Sequence, residues 1–104
     1  MIRHCVFVRF SPQTAQETRT LLFSDIAALA ERMPGLLAAH VGPNVSPEHG
    51  MDKGFSAGFI LDFDSADARD AYLGDAEHQR IGARIVAAAD GGVDGILVYD
   101  LDTA

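Results

Sequence analysis

Residues 55–63 read Phe55-Ser56-Ala57-Gly58-Phe59-Ile60-Leu61-Asp62-Phe63. Phe55, Ala57, Phe59, Leu61 and Phe63 fall on one side of an extended chain; Ser56, Gly58, Ile60 and Asp62 fall on the other. An apolar set alternating with a mixed one has the period of a strand buried on one side. Residues 2–10, IRHCVFVRF, repeat the pattern, with Ile2, His4, Val6, Val8 and Phe10 opposed to Arg3, Cys5, Phe7 and Arg9. Residues 93–101, VDGILVYDL, alternate again, and Leu36 to Val41 is a shorter apolar run. Four strands are therefore expected.

Helices fill the gaps. Thr14-Ala15-Gln16-Glu17 has the spacing of a capping box, in which the Thr hydroxyl takes the third amide and the Glu reaches back. Leu22, Ile26, Leu29, Ala30 and Met33 then recur at helical intervals until Pro34-Gly35. Ser65 can cap a short helix over 66–73 that stops at Gly74. Asp75 can cap the next, with Glu77 in its first turn and His78, Ile81, Ile85 and Ala89 as its inner stripe, before Gly91-Gly92. Residues 42–54, rich in Gly, Pro, Asn and Ser, read as a loop. The order β-α-β-β-α-β defines an α+β, ferredoxin-like protomer: a four-stranded antiparallel sheet with its helices on one face.

Such a sheet leaves its other face uncovered. Alternation assigns Cys5, Phe7, Gly58, Ile60, Ile96 and Val98 to it, mixed with Ser56, Asp62, Asp94 and Asp100. A face this apolar predicts a second copy packed sheet to sheet about a two-fold axis, with Cys5, Phe7, Ile60 and Val98 at the contact.

The chain has 104 residues, 48% hydrophobic and 22% charged, which suits a single domain over 1–104 and argues against disorder. The net charge is −7, and ten of the fifteen acidic residues follow residue 52. A negative surface and eight aromatics without a Trp argue against nucleic acid and against an anionic membrane as partners. No apolar run reaches membrane-spanning length, and Arg3, His4 and Arg9 interrupt the first strand where a leader would be uniformly apolar. One cysteine, Cys5, can form neither an internal disulfide nor a paired metal site, so a reduced, cytoplasmic setting is expected. His40 and His49 have no ligand spacing, and no metal or other cofactor is expected. Asp62, Asp64, Asp67 and Asp70 read as a solvated acidic face, and Met51 as part of an exposed loop. No GxGxxG, P-loop, GxSxG or HExxH occurs.

Several segments together resemble the stress-responsive dimeric α/β-barrel (Dabb) family. They are the opening R-H-C-V-F-V-R-F, Met33-Pro34-Gly35, Gly42-Pro43-Asn44-Val45-Ser46, Phe63-Asp64-Ser65, Ala71-Tyr72, His78 and Val98-Tyr99-Asp100. The resemblance implies a dimeric α+β barrel and, in each protomer, a pocket between sheet and helices for a small, largely apolar molecule. His4, Val6, Phe23, Phe59, Leu61 and Ile81 would line it. One enzyme type of the family, olivetolic acid cyclase, closes a linear polyketide without a cofactor, using a Tyr and a His that match Tyr72 and His78. Its first-strand histidine matches His4. A third-strand pocket histidine of that enzyme falls here at Ala57, so the same substrate is not implied, and its His-Pro falls at Asp75-Ala76, which implies a different pocket mouth or helix start.

The residues permit that chemistry. A phenol donates hydrogen bonds and an imidazole takes a proton near neutrality. A helix N-terminus disfavours imidazolium at His78, while Asp75 favours it. Tyr72 and His78 could thus act as acid and base on a carbonyl substrate, in a cyclisation or isomerisation. Binding without catalysis is the first expectation, a Tyr72/His78 proton-transfer enzyme the alternative, and a monooxygenase of the antibiotic-biosynthesis type the least supported.

Overall fold

The computed structural model describes residues 1–104. The elements run β1 (Ile2–Val8), α1 (Gln16–Arg32), β2 (Leu36–Pro43), β3 (Ala57–Phe63), α2 (Ala66–Gly74), α3 (Ala76–Ala88), a 3-10 turn (Gly92–Gly95) and β4 (Ile96–Asp102). The sheet order is β2-β3-β1-β4, antiparallel throughout, with β1 and β3 central. This is the ferredoxin-like arrangement expected from the sequence.

The alternation of β1 and β3 is realised as expected. Val6, Val8, Phe59, Leu61 and Phe63 are buried beneath α1 and α3, against Leu22, Phe23, Ile26, Leu29, Ile81 and Ile85. Each such side chain contributes about 1.5–3 kcal/mol on leaving water, so this layer is the main source of stability. Two glycines fit where other residues would not. Gly35 turns from α1 into β2 at φ +80, a conformation costly for other residues. Gly58 lies so close to β1 that a Cβ would meet Phe7 Cδ1 at 2.5 Å and the Val6 carbonyl oxygen at 2.6 Å.

Four expectations need correction. The capping box does not form. Ala15 is the extended residue before α1, and the Thr14 hydroxyl instead donates to the Ala88 carbonyl, 2.9 Å away. That carbonyl lies in the last turn of α3, where it has no partner within its own helix, and a tertiary bond replaces the local one. Second, β2 continues to Pro43, with a register shift between Leu36 and Ala38. Third, residues 92–95 form a 3-10 turn, and β4 starts only at Ile96.

The fourth correction matters most. Register pairs Cys5 with both Ile60 and Tyr99, and Phe7 with both Gly58 and Leu97. The uncovered face therefore carries Leu97, Tyr99 and Leu101. Ile96, Val98 and Asp100 share the helix side with Val8, Val6 and His4. Val98 is thus not on the proposed contact face, although Cys5, Phe7 and Ile60 are. Both alternate sets of this strand begin apolar, so its own pattern cannot choose the side. Asp94 lies in the preceding 3-10 turn, outside the strand.

Candidate functional site

Gly74 ends α2, and Asp75 starts α3 by accepting hydrogen bonds from the Glu77 and His78 amides at 2.9 and 3.1 Å. Arg32 holds the same carboxylate from α1 at 3.3 Å. This corner places Tyr72, in the last turn of α2, against His78, in the first turn of α3. Their ring centroids are 4.3 Å apart. Tyr72 also packs on Phe63 at 5.4 Å and on His4 at 5.9 Å. The three polar residues singled out from the sequence are therefore contiguous.

Tyr72 is fully buried, at 0% exposure, and its hydroxyl has no hydrogen-bond partner in the protein. The buried Nδ1 of the neighbouring His78 has none either. Unpaired polar atoms of this kind are rare inside proteins and each costs stability, so two together call for a reason. Burial, reinforced by Asp75, pushes the Tyr72 phenol far above its ordinary value, so it remains a donor. Burial also lowers His78, and the charge of His4 acts in the same direction, outweighing the Leu73 carbonyl and Asp75. His78 is thus neutral near pH 7. A neutral imidazole beside a protonated phenol can accept from, and donate to, one ligand oxygen or the carbon next to it.

His4 is 4% exposed and sends Nδ1 to Asp100 at 2.6 Å. The other oxygen of Asp100 accepts from Arg69 at 2.8 Å. Burial raises the Asp100 carboxyl, but the His4 and Arg69 hydrogen bonds outweigh it, leaving a net lowering. Neither Asp100 nor Arg69 was expected at the site. Once β4 was assigned the wrong side, Asp100 could not be placed beside His4; pairing the strands through His4 would have found it.

Val6, Phe23, Phe59, Leu61 and Ile81, expected as pocket lining, pack together as core. Two principal cavities lie elsewhere. One, of about 680 Å³, opens on the uncovered sheet face among Phe7, His40, Met51, Phe55, Ile60 and Leu97, with Phe59 at its edge. The other, of about 420 Å³, lies between α1 and the edge of the sheet, and Phe23 borders it. Neither is lined by His4, Tyr72 or His78.

The uncovered face has its own polar cluster. Asp62, only 5% exposed, takes Arg3 at 2.8 Å and His40 at 3.1 Å. The acidic-run expectation fails at this member, whose ring of partners compensates its burial. No group of three or more His, Cys, Asp or Glu is placed to hold a metal ion. No helix is long and apolar enough to cross a membrane.

A βαββαβ sheet with its helices on one face defines the ferredoxin-like class of small α+β proteins. The chain belongs to the stress-responsive A/B barrel domain family, whose model matches residues 2–102. It is similar to a dimeric ferredoxin-like protein of unknown function from Jannaschia sp. CCS1, at 32% identity and TM-score 0.91, covering 98% of each chain. It also resembles an Arabidopsis thaliana protein at 22% identity and TM-score 0.87, covering 100% of this chain and 96% of that one. A hydroxynitrile lyase from Passiflora edulis matches at 19% identity and TM-score 0.83, over 96% of this chain and 90% of that one. These last two show a shared fold alone. No curated protein matches the sequence.

Proposed function

We propose that the protein is a homodimer that binds a small, largely apolar molecule bearing one carbonyl or hydroxyl oxygen, recognised by Tyr72 and His78. The observation that carries this is that two rings in contact, Tyr72 and His78, each hold a buried atom without a hydrogen-bond partner, Oη and Nδ1. A ligand oxygen would satisfy both, and the neighbouring Phe63 ring suits an apolar body. Because the hydroxyl is sealed, binding requires the α2–α3 corner to yield. The dimer is supported by the dimeric relative from Jannaschia and by Phe7, Ile60, Leu97, Tyr99 and Leu101 sharing one uncovered face. A buried free thiol at Cys5 suits a cytoplasmic location.

A second function is favoured by one observation. The phenol and imidazole are in ring contact, and burial keeps the one protonated and the other neutral, so a proton donor and a proton acceptor stand side by side. In that case the protein is a cofactor-independent cyclase or isomerase. Calorimetry with acetophenone, thymol and δ-decalactone tests binding. Tyr72→Phe and His78→Gln should each weaken the tightest of these about tenfold, the worth of one hydrogen bond. Unchanged affinity in both variants would overturn the site. Turnover of a polyketide or lactone substrate that survives His78→Gln would eliminate His78 as base.

A further inference from the structure

We infer that Asp100 and Arg69 are positioning residues that hold the neutral His4 ring in one tautomer, with its proton on Nδ1 and a bare Nε2, in a ring packed against Tyr72. The inference starts from three elements meeting in one chain of contacts. His4 comes from β1, Asp100 from β4 and Arg69 from α2, and the links are 2.6 and 2.8 Å long.

An ionised carboxylate only accepts hydrogen bonds. His4 Nδ1 must therefore carry the hydrogen that lies toward Asp100. When the ring is neutral, Nε2 has none and acts as an acceptor. Carboxylates commonly fix histidine ligands and bases in this way. His4 Nε2 makes no hydrogen bond within the protein, and the ring packs edge-on against Tyr72 at 5.9 Å, which in turn contacts His78 at 4.3 Å.

Arg69 has a second effect. It precedes Tyr72 by three residues on α2, so one turn of helix connects them. Its pair with Asp100 ties that turn to β4 and fixes how far Tyr72 stands above His4. Both side chains are about three-quarters covered, at 24% and 25% exposure. An exposed pair would be worth little, whereas this one is partly shielded from water and shared with His4.

The inference rests on the proposed Tyr72–His78 site for its use, but its test needs no ligand. The ring nitrogens of His4 are read by 15N NMR in the full-length protein in alkaline buffer, where an imidazole is neutral. In the wild type, Nδ1 should give a protonated, pyrrole-type resonance and Nε2 a bare, pyridine-type one. Asp100→Leu should lose that single state and shift toward the other tautomer, while amide resonances far from β4 stay in place. Arg69→Gln should broaden the His4 signals, and Arg69→Lys should restore them. A wild-type ring carrying its proton on Nε2, or a tautomer untouched by Asp100→Leu, would overturn the inference. If Asp100→Leu does not fold, Asp100→Asn gives the same answer, because an amide can also donate and so loosens the constraint. Loss of binding in Tyr72→Phe bears only on the site, so the two ideas fail separately.

Discussion

Replacing Tyr72 by Phe removes one oxygen atom and leaves the ring against Phe63 and His4. In most buried tyrosines this loses a hydrogen bond and destabilises by about 1 kcal/mol. Here the hydroxyl is buried without a protein partner, so the wild type carries a desolvation cost of about 1–3 kcal/mol that the variant lacks. Tyr72→Phe should therefore be more stable than wild type, by about 1 kcal/mol or more. For a domain of this size that corresponds to a rise of about 4–8 °C in Tm per kcal/mol. Urea unfolding and thermal melts at matched protein concentration measure it, since any self-association makes Tm depend on concentration. A variant at once more stable and poorer at binding would mark the hydroxyl as a group retained for recognition. Destabilisation by about 1 kcal/mol would refute the reasoning, because it would mean that the hydroxyl is already satisfied before any ligand arrives.

Ile60→Asp puts a charge at the centre of the uncovered face; with several kcal/mol lost for an unpaired buried charge, dimer affinity should drop about a hundredfold or more, visible by sedimentation as a shift toward 11.1 kDa. An Ile60→Asp protein as dimeric as wild type would exclude this face. Gly58→Ala should cost about 1–3 kcal/mol in urea unfolding, since its methyl would overlap Phe7 and the Val6 carbonyl; no loss would mean that the register of β1 and β3 is wrong. Acid should destabilise in two stages. The His78 pKa is lower folded than unfolded, so the unfolded chain binds the proton first, and stability falls as pH drops below 6.5 until the folded group also titrates. Asp62, Asp75 and Asp100 are lowered too, so they stabilise above pH 3.8, and that contribution disappears as pH falls from there through their folded values. His78→Gln should lack the first stage in unfolding measured across pH; its persistence would assign it elsewhere.

The architecture was legible because β3 has one fully apolar side and β1 has one that is apolar but for His4. Phe59, Leu61 and Phe63 can face only the helices, and β1 pairs with them. The β4 edge strand was not legible in phase. Ile96 and Val98 match Leu97 and Tyr99 in hydrophobicity, and an edge strand is too exposed for burial to separate the two sets. The contact of Tyr72 with His78 could be read from the Gly74-Asp75 break, because a helix stop followed by an Asp cap folds both side chains to one corner. The partners of His4 and Asp62 could not, since they depend on which strands are neighbours. Thr14 shows the same limit: a local capping pattern lost to the Ala88 carbonyl of a helix far along the chain.

The most direct test follows the His78 ring nitrogens by 15N NMR while the tightest binder among acetophenone, thymol and δ-decalactone is added. A changed Nδ1 resonance, abolished in Tyr72→Phe, is expected if the buried pair receives the ligand oxygen. Saturation that leaves His78 unmoved, and shifts Phe7, Met51 and Leu97 around the larger cavity instead, would place recognition on the opposite side of the sheet.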